Sequence, residues 1–197
     1  MRKCSLEGSL PSSIGNLSSL ALLDLKHNKL KGTIPESLGL LRSLTVLDLG
    51  YNLLMGPIPL SLGLLSKLTN ISLTHNLLSG AISESHFRSL NNLKYLDLSS
   101  NKLSFNITSD WTPPFDLDVL RLSHCRIEGA FPPFLKTQRF MMTLDLSNNT
   151  LRGKIPSWLW RLPKLENLVL SHNQLEGPIP YQLYKSTYLK HVELWDN

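Results

Sequence analysis

Large apolar residues and polar residues follow one another along this chain in a unit that recurs every 24 or 25 residues. Within each full unit, leucine or a similar residue stands eight, five and three residues before a fixed polar position, and leucine or isoleucine follows two residues after it. We call the fixed position the ladder position; it is filled by Cys4, Asn28, Asn52, Asn76, Asn101, Cys125, Asn149, Asn173 and Asn197. Such a regular internal period predicts a stack of equivalent turns.

The segment just before each ladder position alternates between apolar and polar residues, which predicts a short strand with its apolar side chains facing inward. Each turn returns the chain to the same side, so we expect successive strands to run parallel at roughly 4.8 Å spacing. An asparagine carboxamide both donates and accepts hydrogen bonds. A column of stacked carboxamides is therefore predicted to satisfy backbone groups where the chain leaves each strand.

A second motif follows the ladder position and contains glycine, isoleucine and proline. It reads GTIP at residues 32–35, GPIP at 56–59, GKIP at 153–156 and GPIP at 177–180. The glycine suits a backbone turn and the proline ends backbone pairing. A Leu-Gly pair then follows, as at Leu38-Gly39 and Leu62-Gly63, and it favours a short helical or 3₁₀ turn on the outer side.

Together the two motifs resemble the plant-specific leucine-rich repeat over essentially the whole chain. The predicted fold class is an α/β solenoid, a leucine-rich repeat superhelix with a parallel concave β-sheet and 3₁₀ or short helical turns on the convex side. The resemblance adds short lateral strands of the plant type. We expect residues 1–197 to form a single array of about eight repeats of 24–25 residues, irregular around residues 101–125 and uncapped at both ends.

A longer and more specific motif lies in the irregular part of the chain. It comprises WTPPF at residues 111–115, LRLSHC at 120–125 and FPPFLKTQ at 131–138. This run resembles the ectodomain of receptor-like proteins of the ethylene-inducing-xylanase receptor type. The resemblance implies a non-catalytic recognition ectodomain on the extracellular side of the plasma membrane. It would bind a protein or peptide ligand and signal in defence through a co-receptor or adaptor kinase that partners the full-length protein.

An alternative function remains open, namely a secreted leucine-rich repeat inhibitor of microbial cell-wall-degrading enzymes. Receptors of the resembled type carry a signal peptide, caps and a membrane helix, and none is recognisable in this sequence. No apolar run approaches the ~18 residues of a membrane span. We therefore expect an interior fragment of an ectodomain that reaches the membrane only through a segment absent from this chain.

The side chains between the inward strand positions are predicted to face the concave surface and to contact the ligand. Four residues before the ladder position these side chains form a largely acidic column, which Arg121 interrupts. Tyr95 stands six residues before its ladder position, and Trp195 stands two residues before its own, where a small residue is usual. Aromatic and arginine side chains dominate the energetics of interfaces. The candidate ligand-binding residues are Asp48, Tyr95 as an exposed aromatic, Asp97, Arg121, Asp145, Glu193 and Trp195. A purely structural role for the aspartate column remains open as well.

Four Asn-x-Ser/Thr sequons predict glycosylation at Asn16, Asn70, Asn106 and Asn148. Each acceptor falls at an outward position of the repeat. Asn70 is predicted to lie on the concave face, so a glycan there would block local docking and move ligand contacts toward the later repeats.

Several function classes fit the sequence poorly. The net charge of +5 is spread along the chain, whereas nucleic-acid binding needs clustered charge. His27, His75, His124 and His172 share one repeat position. Side chains two repeats apart lie about 10 Å from each other, too far for one metal ion. No catalytic set stands out from the repeat, so we expect no metal, no cofactor, no nucleic-acid partner and no enzyme activity.

The two cysteines, Cys4 and Cys125, both occupy ladder positions five repeats apart. This separation corresponds to roughly 24 Å, and a disulfide needs Cα atoms within about 7 Å. We therefore predict no bond between them and a buried, structural role for Cys125.

Overall fold

The computed structural model describes residues 5–179, 181, 183 and 187–197, and it shows a solenoid built around one long parallel sheet. Eight described strands of three residues each form this concave sheet in chain order. They are Leu22–Asp24, Val46–Asp48, Asn70–Ser72, Tyr95–Asp97, Val119–Arg121, Thr143–Asp145, Asn167–Val169 and His191–Glu193. The predicted parallel concave sheet is confirmed.

Two lateral sheets run beside the concave sheet, and both are parallel. The first lateral sheet contains Glu7–Gly8, Lys29–Gly32, Leu53–Gly56, Leu77–Ile82 and Lys102–Phe105. The second contains Glu128–Gly129, Thr150–Lys154 and Gln174–Glu176. A single bridge between Ser104 and Arg126 connects them. The predicted lateral strands are thus present, with one interruption.

Short 3₁₀ helices form the convex side, as predicted. They span Ser12–Asn16, Glu36–Leu40, Leu60–Leu64, Glu84–Phe87, Pro133–Thr137 and Leu159–Arg161. Pro35 and Pro59 stand directly before two of these helices with extended backbone. In the preceding lateral strands, Gly32 and Gly56 have φ near +80°, a conformation that only glycine adopts easily. The glycine and proline of the second motif therefore direct the chain from lateral strand to outer helix.

The hydrophobic core is a continuous column of leucines between the concave sheet and the 3₁₀ helices. Leu47, Leu96, Leu144 and Leu168 point inward from the concave strands and are almost completely buried. Leu38 and Leu62 meet them from the convex side. Burying a leucine side chain contributes about 1.5–3 kcal/mol, so the apolar pattern of the sequence supplies most of the driving force for folding.

The ladder carboxamides hold consecutive turns together through buried hydrogen bonds. Asn76 donates through Nδ2 to the carbonyl of Leu73 in its own turn, at 3.1 Å, and to that of Leu49 in the preceding turn, at 3.0 Å. Its Oδ1 accepts the backbone N–H of Leu54 at 3.0 Å. Asn52, Asn101, Asn149 and Asn173 make the same three contacts. The predicted ladder is confirmed.

Cys125 interrupts this ladder. Its thiol donates to the carbonyl of Leu98 at 3.4 Å, but it offers no carboxamide oxygen to accept a backbone N–H from the preceding turn. The break lies at the same place as the interruption between the two lateral sheets, where only the Ser104–Arg126 bridge remains. The missing carboxamide at Cys125 therefore coincides with the gap in strand pairing between the two lateral sheets.

The first part of the long motif, WTPPF at residues 111–115, lies in a turn that has no outer helix, whereas its last part forms the 3₁₀ helix Pro133–Thr137. Residues 106–118, all of them described, contain turns and bends but no 3₁₀ helix. Trp111 packs its ring against Phe87, Phe115 and Phe134, with centroid distances of 5.6–6.1 Å. Gln138 is completely buried; its Oε1 accepts the N–H of Leu117 at 2.8 Å, and its Nε2 donates to the carbonyl of Phe115 at 3.3 Å. Packed aromatic rings and the buried amide of Gln138 therefore stabilise the turn at residues 106–118, which has no outer helix of its own.

The residue just before each ladder position adopts a left-handed backbone, which the sequence did not predict. The φ angles lie between 49° and 59° at His27, Tyr51, His75, Ser100, His124, Asn148, His172 and Asp196. Positive φ is uncommon outside glycine, and asparagine, aspartate and histidine tolerate it best. The partial histidine column therefore has a backbone explanation.

Cys125 is free and buried, while Cys4 lies outside the described residues. The absence of a bond between them therefore stays a prediction. Burial raises the pKa of the Cys125 thiol to about 12, so the thiol is protonated at neutral pH.

The ladder makes a quantitative prediction for Asn76→Ala. Truncation leaves the buried N–H of Leu54 and two carbonyls with fewer partners, and each buried unsatisfied group costs about 1–3 kcal/mol. We expect the free energy of unfolding, measured by urea titration, to fall by about 3 kcal/mol. The control is Asn91→Ala at an exposed position, where we expect a change within about 0.5 kcal/mol. Equal effects at both positions would contradict a structural ladder.

The buried thiol makes a second prediction. At pH 8 the native protein should leave Cys125 unlabelled by iodoacetamide, because its raised pKa keeps the reactive thiolate scarce. In urea the ordinary thiol pKa of about 8.5 returns and labelling should become rapid. Peptide-resolved mass spectrometry reads this position separately from Cys4. Rapid labelling of Cys125 in the native state would show that the thiol is not buried.

Candidate ligand-binding groove

The concave sheet carries an open groove of about 520 Å³ that runs across several repeats. Side chains from both the strands and the turns that follow them form its walls. The lining residues are Tyr51, Thr74, His75, Asp97, Ser99, Arg121, Ser123, Thr143, Asp145, Asn167 and Val169. The groove is therefore mostly polar, with charges of both signs near its centre.

Three of the predicted contact residues meet in the middle of this groove. Strand pairing sets Arg121 opposite Asp97 on one side and opposite Asp145 on the other. Neighbouring strands lie roughly 4.8 Å apart, so one guanidinium is flanked by two carboxylates on adjacent turns. The arrangement can recognise a ligand that presents both an acidic and a basic group.

Tyr95 links Arg121 to Asp97 through hydrogen bonds. Arg121 Nη1 donates to the Tyr95 hydroxyl at 3.3 Å, and this hydroxyl donates to Asp97 Oδ2 at 3.4 Å. Burial and then the Asp97 carboxylate raise the pKa of Tyr95 above its ordinary value, so the phenol remains a donor at neutral pH. The prediction that Tyr95 is exposed is wrong, because the residue is half-buried and the Arg121 guanidinium lies over its ring, 6.0 Å from the centroid.

The aspartates of the acidic column have a structural role as well. Oδ1 of Asp48, Asp97 and Asp145 each accepts the backbone N–H two residues ahead, at 3.0 Å. Asp97 is only 6% exposed. Asp48 also lies beside Lys26, at 3.3 Å. One oxygen of each carboxylate therefore supports its own turn, which the spacing of the sequence alone did not show.

Glu193 and Trp195 lie at the far end of the sheet and do not line the groove. Glu193 accepts hydrogen bonds from His191 at 2.7 Å and from Trp195 Nε1 at 3.4 Å. Trp195 is exposed and packs edge-on against His172, with ring centroids 4.3 Å apart. Asp48 likewise lies outside the groove lining. The seven predicted contact residues thus divide into a central group and outlying positions.

A stack of rings along the groove margin was missed by the sequence analysis. Tyr51 lies between His27 and His75, with ring centroids 4.3 and 4.4 Å apart and nearly parallel planes. All three occupy the left-handed position before the ladder. Their equal offset from the ladder position is the sequence signal that indicates this stack. Tyr51 and His75 add aromatic surface to the groove.

The predicted glycosylation sites differ in exposure. Asn16 and Asn106 are exposed, whereas Asn70 and Asn148 are half-buried. Asn70 begins the concave strand Asn70–Ser72, and its Oδ1 accepts a hydrogen bond from the Thr69 hydroxyl at 2.8 Å. Asn106 is therefore a more accessible acceptor than Asn70.

No group of three or more His, Cys, Asp or Glu side chains among the described residues is placed to hold a metal ion. No described helix is long and apolar enough to cross a bilayer.

The repeat pattern and the arrangement of strands have clear counterparts in known proteins. The family described as Leucine rich repeat matches residues 3–54, 63–111 and 115–175. Receptor-like protein EIX2 of Solanum lycopersicum is 48% identical over 66 residues, which is 34% of this chain and 6% of that protein. Receptor like protein 23 of Arabidopsis thaliana is 44% identical over 64 residues, which is 32% of this chain and 7% of that protein.

Solved structures of plant receptors share the architecture over nearly the whole chain. The plant peptide hormone receptor RGFR1 in complex with RGF2 has a TM-score of 0.91 and 33% identity, covering 98% of this chain and 31% of that one. The Arabidopsis receptor kinase HAESA, in complex with the peptide hormone IDA and the co-receptor SERK1, has a TM-score of 0.85 and 35% identity. The match covers 98% of this chain and 32% of the HAESA chain. The chain thus spans about a third of these receptor structures.

Proposed function

The chain belongs to the leucine-rich repeat family, and we propose that it is a ligand-recognition part of the ectodomain of a plant cell-surface receptor-like protein. Its concave groove binds a protein or peptide ligand on the extracellular side of the plasma membrane. Recognition then leads to defence signalling through a separate co-receptor or adaptor kinase. Within this role the chain binds and catalyses no reaction.

The observation that carries the proposal is the mixed-charge centre of the groove. Arg121 is exposed and flanked by Asp97 and Asp145. A carboxylate of the ligand would pair with the guanidinium, and an adjacent basic group would pair with Asp145, whose Oδ1 already accepts the Ser147 hydroxyl at 2.6 Å. Arginine and aromatic side chains contribute most to interface affinity. Arg121, Asp97 and Asp145 are thus a small group of side chains on the concave sheet that can contribute much of the affinity for a ligand.

The length of the groove suits an extended peptide. Its lining residues run from the turn of Tyr51 to the strand of Asn167 and Val169, a span of five repeats. At roughly 4.8 Å per repeat this is about 24 Å, the length of about seven extended residues. A peptide laid across the strands would reach both the Arg121 centre and the Tyr51–His75 ring stack.

The known proteins that resemble this chain support the same role. The matched curated proteins are named receptor-like proteins. Two matched structures are described as peptide hormone complexes, one of them with a co-receptor. The long motif around Trp111 and Gln138 resembles the ethylene-inducing-xylanase receptor type, which is the basis for proposing a role in defence.

The proposed function predicts that binding depends on Arg121. Short random peptides displayed on phage would be selected against the whole purified chain, and affinities measured by biolayer interferometry. We expect Arg121→Glu to weaken the selected peptides at least tenfold, equivalent to about 1.4 kcal/mol, because it places a third negative charge between two carboxylates. Arg161→Glu, an exposed site on the convex 3₁₀ helix Leu159–Arg161, makes the same charge change and should leave affinity unchanged. Equal losses, or no selected peptide, would contradict the proposal.

The proposed extracellular location predicts glycans at the exposed sequons. When the chain is secreted from plant cells behind an added signal peptide, Asn16 and Asn106 should be largely occupied, because both are exposed. Asn70 should be occupied less, since its amide is half-buried and hydrogen-bonded. Peptide-resolved mass spectrometry after enzymatic deglycosylation gives the occupancy of each site. Unmodified Asn16 and Asn106 in the secreted protein would contradict this part of the proposal.

A further inference from the structure

The outward face of the first lateral sheet carries a cluster of exposed apolar side chains. Leu53, Met55 and Leu77 are 49%, 47% and 43% exposed. Strand pairing sets Met55 directly opposite Leu77, so the three side chains form one continuous patch. We call these three residues the lateral patch. Clustered exposed apolar residues mark interaction sites more often than isolated ones do.

The lateral patch is not a requirement of the repeat. Thr150 and Gln174 occupy the repeat position of Leu53 and Leu77 in the second lateral sheet, and Arg152 occupies that of Met55. These polar residues form the same kind of strand, so the backbone does not demand apolar side chains there. The patch is therefore a local property of two repeats.

Positive charges border the patch on both sides. Lys29 and Lys31 precede it in the strand Lys29–Gly32, and Lys102 begins the strand Lys102–Phe105 that follows it. The four described strands from Lys29 to Phe105 contain no aspartate or glutamate. Lys29 pairs with Glu7 of the first lateral strand at 3.0 Å. Lys31 and Lys102 therefore give the border of the lateral patch its positive charge. An acidic partner surface complements this border.

A recessed groove continues the patch at the ends of the same strands. It has a volume of about 600 Å³. Its walls are largely apolar, with Ile34, Pro35, Pro57, Ile58, Pro59 and Leu60, and they also include Glu36 and His86. Prolines hold a fixed backbone, so this groove is largely preformed and its occupation costs little ordering entropy. A flat apolar patch beside a rigid groove offers a place for inserted side chains.

We propose that the lateral patch and the proline-walled groove dock a protein partner, separately from the ligand in the concave groove. The contacting segment of this partner carries apolar side chains flanked by aspartate or glutamate. A groove of about 600 Å³ accommodates several side chains of a protein segment, whereas the flat surface of a bilayer leaves it unfilled. A second copy of the chain fits less well, because Glu128 and Glu176 in the second lateral sheet alternate with Arg152 and Lys154.

The test uses the whole ¹⁵N-labelled chain and two synthetic peptides with the same leucine and phenylalanine residues. One peptide flanks them with glutamates and the other with lysines. We expect the glutamate peptide to shift the backbone resonances of Leu53, Met55 and Leu77, with an affinity that falls as salt is added. The lysine peptide should bind at least fivefold more weakly.

A matched pair of variants links this binding to the patch. Leu53→Thr with Leu77→Gln installs the residues of the second lateral sheet and should lower affinity for the glutamate peptide at least fivefold. Gln174→Ala, the same repeat position in the second sheet, should leave it unchanged. Equal binding of both peptides, shifts elsewhere, or no effect of the swap would overturn the proposal.

Two further measurements distinguish other occupants. Co-sedimentation with phosphatidylserine–phosphatidylcholine vesicles that the swap abolishes would assign the patch to a membrane surface instead. Dimerisation in analytical ultracentrifugation that the swap abolishes would assign it to a second copy. The proposal expects neither.

Discussion

The structure depends above all on the buried carboxamide of the ladder position. Each turn of the solenoid leaves backbone carbonyl and N–H groups at the place where the chain departs from the concave strand, and water cannot reach them there. A buried amide hydrogen that finds no acceptor costs about 1–3 kcal/mol. An asparagine such as Asn76, present in every described repeat except that of Cys125, donates to two turns and accepts from the preceding turn. Leucine burial drives the packing, and the amides fix the register at which the turns stack.

Most of the fold was predictable from sequence, because leucine burial and the ladder hydrogen bonds both require particular residues at regular intervals. Inward leucines and ladder asparagines recur at constant spacing, so strand, register and outer turn follow from counting. Features that depend on a single turn were harder to predict. Gln138 takes over backbone bonds within the irregular turn, and the left-handed residue before each ladder position is filled by residues as different as His27, Tyr51 and Ser100.

The candidate site was predicted in part, for a related reason. Repeat spacing correctly placed Asp97, Arg121 and Asp145 on the concave face, and the structure brings them together. It gave no information about how each side chain is used. The aspartates support their own turns through hydrogen bonds to the backbone, and Tyr95 is half-buried as it bonds to Asp97 and Arg121. Side-chain pairing across strands is set by rotamers and neighbours rather than by period.

The solenoid thus constrains the residues of its interior and leaves the residues of its surfaces variable. The two proposed binding sites, the concave groove and the lateral patch, lie on these surfaces. Both depend on the amides holding adjacent turns in rigid register. Native-state hydrogen exchange of the backbone N–H groups of Leu54, Leu78 and Leu151, which donate to ladder carboxamides, tests this dependence most directly. We expect these N–H groups to exchange as slowly as the backbone N–H groups of the central concave strands. Exchange at the rate of an unstructured peptide would contradict this dependence.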